Sequence, residues 1–65
     1  MSYNYIVYVL NFFENEPKKF VLYQGNNKKD ARAAFNRYYS CWDPYYHEHE
    51  RLVMIDRKQK RFIQL

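Results

Sequence analysis

Tyr3 to Phe13 reads YNYIVYVLNFF, and its pattern decides the fold. β-branched and aromatic residues fill it, and neither Gly nor Pro interrupts it, which predicts a strand. Tyr5, Val7 and Val9 fall on one alternating face, and Ile6, Tyr8, Leu10 and Phe12 on the other. A strand that is apolar on both faces belongs in the middle of a sheet, covered from both sides.

Glu14 to Pro17 is a polar turn and Lys18 to Gln24 (KKFVLYQ) a second strand, close enough in sequence for an antiparallel hairpin. Gly25, Asn26 and Asn27 then break the pattern. Asn27 followed by Asp30 resembles a capping box, with an acidic residue near the positive end of the helix. The helix is expected from about Lys28 to Tyr39 or slightly beyond. Its apolar stripe is Ala31, Ala34, Phe35, Tyr38 and Trp42. Small residues early in the stripe and large rings late in it predict that the helix lies close to the sheet at its N-terminal end and stands off at the other.

Asp43-Pro44 stops the helix, because the residue before proline is pushed out of the α region. A connection over residues 45–50 leads to a third strand, Arg51 to Asp56 (RLVMID). A charged turn, Arg57 to Lys60, precedes a fourth strand, Arg61 to Leu65 (RFIQL). The order is ββαββ, an α+β fold. If the helix joins two strands of one sheet by a right-handed crossover, those strands are parallel and another must lie between them. The doubly apolar first strand fits there. The expectation is a four-stranded antiparallel sheet of order 2-1-3-4 with one helix packed on one face. Pro17, Lys18, Lys19, Lys58 and Lys60 flank the two edges, where they discourage unwanted pairing.

One helix cannot cover both faces of such a sheet. Some of Tyr3, Tyr5, Tyr8, Tyr23, Met54 and Phe62 are therefore expected on an open face. Composition points the same way: 22% of the chain is aromatic, with 8 Tyr, 5 Phe and 1 Trp. The hydrophobic share of 48% stands beside a mean hydropathy of −0.82 because tyrosine is scored as apolar in one measure and mildly polar in the other. Leu, Ile, Val and Phe together exceed the share of about 20% below which chains tend to be disordered. At 65 residues the chain is read as a single domain, residues 1–65, with no room for an ordinary enzyme scaffold. No apolar run approaches the length of a membrane span and no signal peptide is apparent, so a cytoplasmic protein is expected.

Cys41, Asp43, His47 and His49 are metal-ligand types, but C-x5-H-x-H is not a recurrent zinc spacing, and no second pair completes a site. No metal and no cofactor are expected. Cys41 reads as a buried small hydrophobe, the histidines as loop residues, and Glu48 with Glu50 as solvated surface charge. Without a Gly-rich anion cradle or a concave pocket, no enzymatic activity is expected.

The net charge of +4 and pI near 9.3 favour acidic partners and exclude a carboxylate-coated mimic of DNA. The charge is polarised. Lys28, Lys29, Arg32 and Arg37 lie on the helix, and Arg57, Lys58, Lys60 and Arg61 on the last hairpin. Tyr38, Tyr39, Trp42, Tyr45 and Tyr46 crowd one stretch, predicting an aromatic end for protein contact, since tyrosine offers large area and a polar tip at modest entropic cost. The leading expectation is a non-enzymatic protein-binding module that occludes a partner's acidic or nucleic-acid-binding groove. The alternative is a nucleic-acid-binding protein that uses the basic helix face (Lys28, Lys29 and Arg32) or the last hairpin (Arg57, Lys58, Lys60 and Arg61) with stacking tyrosines. Homodimerisation through the open face or an edge strand is a third.

In length, single Cys, element order and abundant Tyr and charge, the chain resembles small bacteriophage-encoded accessory proteins, of which anti-CRISPR inhibitors are one instance. No motif is shared, so none of their functional residues carries across. The resemblance implies action on a host or defence protein in the host cytoplasm.

Overall fold

The alternation of the first strand is realised over Tyr5–Asn11 (β1) in the computed structural model, which describes residues 3–65. β2 spans Lys18–Gly25, α1 Lys28–Cys41, β3 Glu50–Asp56 and β4 Arg61–Gln64. The four strands form one antiparallel sheet in the order β2-β1-β3-β4. The doubly apolar strand is central, as its pattern requires. The Cα trace measures 31 × 24 × 16 Å, and the shortest dimension accommodates a sheet and one helical layer.

Register assigns the faces. Tyr5, Val7 and Val9 of β1 join Leu52 and Met54 of β3 and Ala31 and Phe35 of α1 in the core, with Tyr23, Tyr38 and Trp42 packed against it. Leu52, Val7 and Val9 are fully enclosed. Ala31 is wholly buried early in the helix, whereas Tyr38 and Trp42 fill the space near its end, consistent with a helix that starts close to the sheet. Of the six residues considered for the open face, Tyr5, Tyr23 and Met54 belong to the helix-covered core, and Tyr8 and Phe62 register opposite it.

The ends of α1 differ from the sequence reading in instructive ways. The Asn27 side chain accepts from the Asp30 amide at 3.2 Å, but the reciprocal half of the box is absent: the Asn27 amide donates to the Tyr23 hydroxyl instead, at 3.1 Å. A sheet side chain thus replaces the shorter Asp as acceptor. Gly25 makes room for it, since a Cβ there would meet Tyr23 Oη at 2.6 Å. At the C-terminus the helix continues to Cys41, and Trp42 and Asp43 turn extended. The connection is not irregular. Residues Pro44–Glu48 form a 3₁₀ helix, capped by Asp43 Oδ1 accepting from the Tyr45 amide at 2.9 Å and opened by Pro44, whose fixed φ suits a first turn.

Smaller corrections concern boundaries. β1 is shorter than the Tyr3 to Phe13 stretch: the Phe12 amide still donates to the facing His49 carbonyl at 2.7 Å, but the His49 amide turns to the Tyr46 carbonyl, so the pair does not close and the ladder ends at Asn11. β3 begins one residue earlier than expected, at Glu50. A bulge in β2 places Leu22 between the partners of Val7 and Tyr8.

Candidate functional site

The earlier start of β3 puts Glu50 in register with Asn11 on the helix side of the sheet. There it is 7% exposed, not solvated as the surface reading of Glu48 and Glu50 had it. Its Oε1 accepts from the Tyr38 hydroxyl at 2.8 Å and from Trp42 Nε1 at 3.0 Å, and its Oε2 accepts from Asn11 Nδ2 at 2.8 Å. One carboxyl group therefore ties the helix end and its exit to β1 and β3. Burial and the hydrogen bond to Glu50 push the Tyr38 hydroxyl up from its ordinary value of 10.0 to about 12, so it remains a donor across the whole neutral range. Tyr38 and Trp42, expected at a contact surface, are half-buried and hold the fold at this end.

Tyr45 and Tyr46 do reach the surface, 67% and 41% exposed. They are not isolated. Phe13 stacks on Tyr45 at 6.0 Å and meets Tyr46 edge-on at 5.4 Å, while His49 lies 4.5 Å from Phe13. Tyr45 and Tyr46 contact each other at 5.5 Å. Beside this group, His47 packs on Trp42 at 4.1 Å. Tyr39 is exposed but joins neither group among the described residues. Phe13 was hidden from sequence reasoning by its assignment to the strand; the aromatic pair Phe12-Phe13 next to a polar turn was the available signal. Cys41 is exposed, not buried, because it is the last residue of α1 and lies on the flank of the apolar stripe, off the line of Tyr38 and Trp42. Among the described residues no three His, Cys, Asp or Glu side chains converge as metal ligands.

The two basic sets meet at the other end. Lys28 and Arg32 of α1, Lys60 of the turn and Arg61 of β4 line one groove of about 530 Å³, floored by Phe35, Met54, Phe62 and Ile63. Asp56 is the carboxylate within it, with Oδ1 accepting from the Gln59 amide and Oδ2 4.0 Å from Lys28 Nζ. A second groove of about 420 Å³ lies on the open side of β4, where Arg57, Lys60 and Arg61 border Tyr8, Val53, Ile55 and Phe62. Lys29 lies on the outer surface of α1 beside Lys28 and Arg32, and Lys58 is exposed in the β3–β4 turn. Lys60 adopts a left-handed backbone, φ 55°. Helix and hairpin thus serve one basic end, whereas the sequence presented them as alternatives.

The aromatic end also carries exposed Asp43 and Glu48, so its local charge is opposite to that of the grooves. α1, at 14 residues, spans about 20 Å between them. That distance exceeds the physiological screening length of about 8 Å, so the two charge sets act independently. No helix is long and apolar enough to cross a membrane among the described residues. No protein-family model matches the chain, and comparison with curated proteins and with solved structures found no match.

Proposed function

We propose that the chain is a non-enzymatic protein-binding module that occludes a functional surface of another protein, as the small phage-encoded inhibitors of its general type do. One observation carries the reading: Phe13, Tyr45, Tyr46 and His49 are packed on one another while Tyr45 stays 67% exposed. Rings that are already ordered lose little freedom on docking, and tyrosine contributes large area with a polar tip. The exposed carboxylates Asp43 and Glu48 beside them favour a partner surface with a basic rim, such as a nucleic-acid-binding groove, over an acidic one.

The test is affinity capture from the lysate of the native host with three baits in parallel: wild type, Tyr39→Ala and the double variant Tyr45→Ala/Tyr46→Ala. A protein retained by the first two and lost from the double variant is the expected result, with a loss of about 2 kcal/mol or more for anchors of this kind. The double variant should melt within a few degrees of wild type. Retention of the same proteins by all three baits would place the contact surface elsewhere.

A further inference from the structure

The face of the sheet opposite α1 carries an asymmetry of charge that the fold does not need. The strands contain two acidic side chains, Glu50 and Asp56, and register puts both on the helix-covered side, opposite Asn11 and Tyr5. On the other face lie Ile6, Tyr8, Leu10, Val53, Ile55 and Phe62, of which Ile6 and Val53 are buried among their neighbours, with Lys19 and Arg51 in register with Leu10. Arg51 is engaged, its guanidinium donating to the carbonyls of His47 and Glu50. Lys19 lies with Nζ 4.4 Å from the Tyr8 ring centroid. Phe62 is 70% exposed, an orientation that burial does not explain. Arg57, Lys60 and Arg61 border the groove between Tyr8 and Phe62, whose floor is Val53 and Ile55 and whose lining also includes Asp56.

We infer that this open face binds single-stranded nucleic acid, with Tyr8 and Phe62 stacking on bases and Lys19, Arg57, Lys60 and Arg61 meeting phosphates. The occupant follows from the chemistry. Cations around an apolar floor call for a chain that is anionic along its length, and two accessible rings call for flat π-surfaces between those charges. An acidic peptide satisfies the cations and leaves the rings without flat partners. A duplex keeps its bases stacked inside, and α1, the element that would enter a groove, lies on the opposite face. When a base stacks on Tyr8, the Lys19 ammonium moves from the ring toward the adjoining phosphate. Asp56 does not oppose this strongly, since its carboxylate faces Lys28 and the Gln59 amide. The surface is separate from the aromatic end, so either reading can fail without the other.

The experiment is fluorescence anisotropy of the full chain with labelled oligothymidine and oligouridine of about 12 nucleotides, the length scale of single-strand sites. A duplex of the same length and oligoglutamate are the comparators. The inference expects micromolar binding of one or both single strands at about 50 mM salt, weakening at least tenfold by about 200 mM, with the duplex and oligoglutamate at least tenfold weaker. The thymidine and uridine arms then tell DNA from RNA. Phe62→Leu should weaken binding about tenfold with unchanged stability, since its ring is exposed, and Tyr8→Phe should retain affinity. Arg57→Ala should lower the salt slope by about one. Absence of single-strand binding at about 50 mM salt would overturn the inference, as would equal affinity for oligoglutamate or an unchanged affinity in Phe62→Leu.

Discussion

The aromatic end and the basic end of this molecule solve different problems with their polar groups. At the aromatic end, structure and surface are built by residues that neighbour one another in the chain. Glu50 binds Tyr38, Trp42 and Asn11 in the interior, and the chain leaving Trp42 presents Tyr45 and Tyr46 within a few residues. At the basic end the fold is secured mostly by neutral groups, the Asn27 cap, the Tyr23 hydroxyl beneath it and Asn26 Oδ1 accepting from the Asn4 amide at 2.9 Å, with the Asp56 carboxylate accepting from the Gln59 amide in the turn. The cations there are attached to that frame without supporting it. Lys28 reaches Asp56 at only 4.0 Å, and Arg57 rests on the Tyr3 ring at 4.6 Å. Changes to the Glu50 network should therefore register in stability, and changes to the cations mainly in binding.

The largest break in that contrast should come from Glu50→Ala. It leaves three inward donors without their acceptor, and a buried unsatisfied group costs about 1–3 kcal/mol, so the variant should lose about 3 kcal/mol or more in urea unfolding. Glu50→Gln, which keeps a carbonyl for Tyr38 and Trp42, should recover most of it. A loss below about 1 kcal/mol for Glu50→Ala would mean that water satisfies these donors and the end is loosely held.

Tyr38→Phe sharpens the same point with a smaller effect, about 1 kcal/mol near neutral pH. Its pH dependence is more specific. The folded hydroxyl keeps its proton to about 12, while the unfolded one releases it near 10.0. Its contribution is thus fully present below pH 10.0 and fades as pH rises toward 12. Unfolding of both proteins across this window should show the gap between wild type and Tyr38→Phe narrowing; a constant gap would mean that Tyr38 is not buried against Glu50.

The smallest change, and one of opposite sign, belongs to the basic end. Lys60 holds a backbone conformation that glycine adopts without steric cost. Lys60→Gly should stabilise the protein by about 0.5–1 kcal/mol in thermal unfolding. The same substitution removes a cation from between both grooves and should weaken oligonucleotide binding. Gaining stability at the expense of affinity would separate surface from frame, as the comparison requires; destabilisation would show that Lys60 supports the hairpin.

Much of the architecture was legible because it rests on local patterns. The double alternation around Val7 and Tyr8 put β1 at the centre, and the Ala31, Phe35 and Tyr38 spacing gave α1 its buried stripe. Glu50 escaped for a boundary reason: a strand started at Arg51 leaves Glu50 in a loop, and one residue more aligns it with Leu52 and Met54 on the helix side. Phe13 escaped likewise. Alternation assigns a face and does not reveal that the chain leaves the ladder after Asn11. The tyrosines were expected to act as a group, yet their places differ. Tyr5 and Tyr23 serve the core, Tyr38 serves Glu50, and Tyr45 and Tyr46 stand outside.

The amino-acid order by itself determined the ββαββ succession, the strand order and the excess of aromatic surface, because periodicity, turn chemistry and crossover handedness are properties of the chain. Tertiary structure alone decided which carboxyl group was buried, which rings met, and that the helix and hairpin cations line shared ground. Those outcomes depend on register across strands distant in sequence, where a shift of one residue turns a side chain from one face of the sheet to the other.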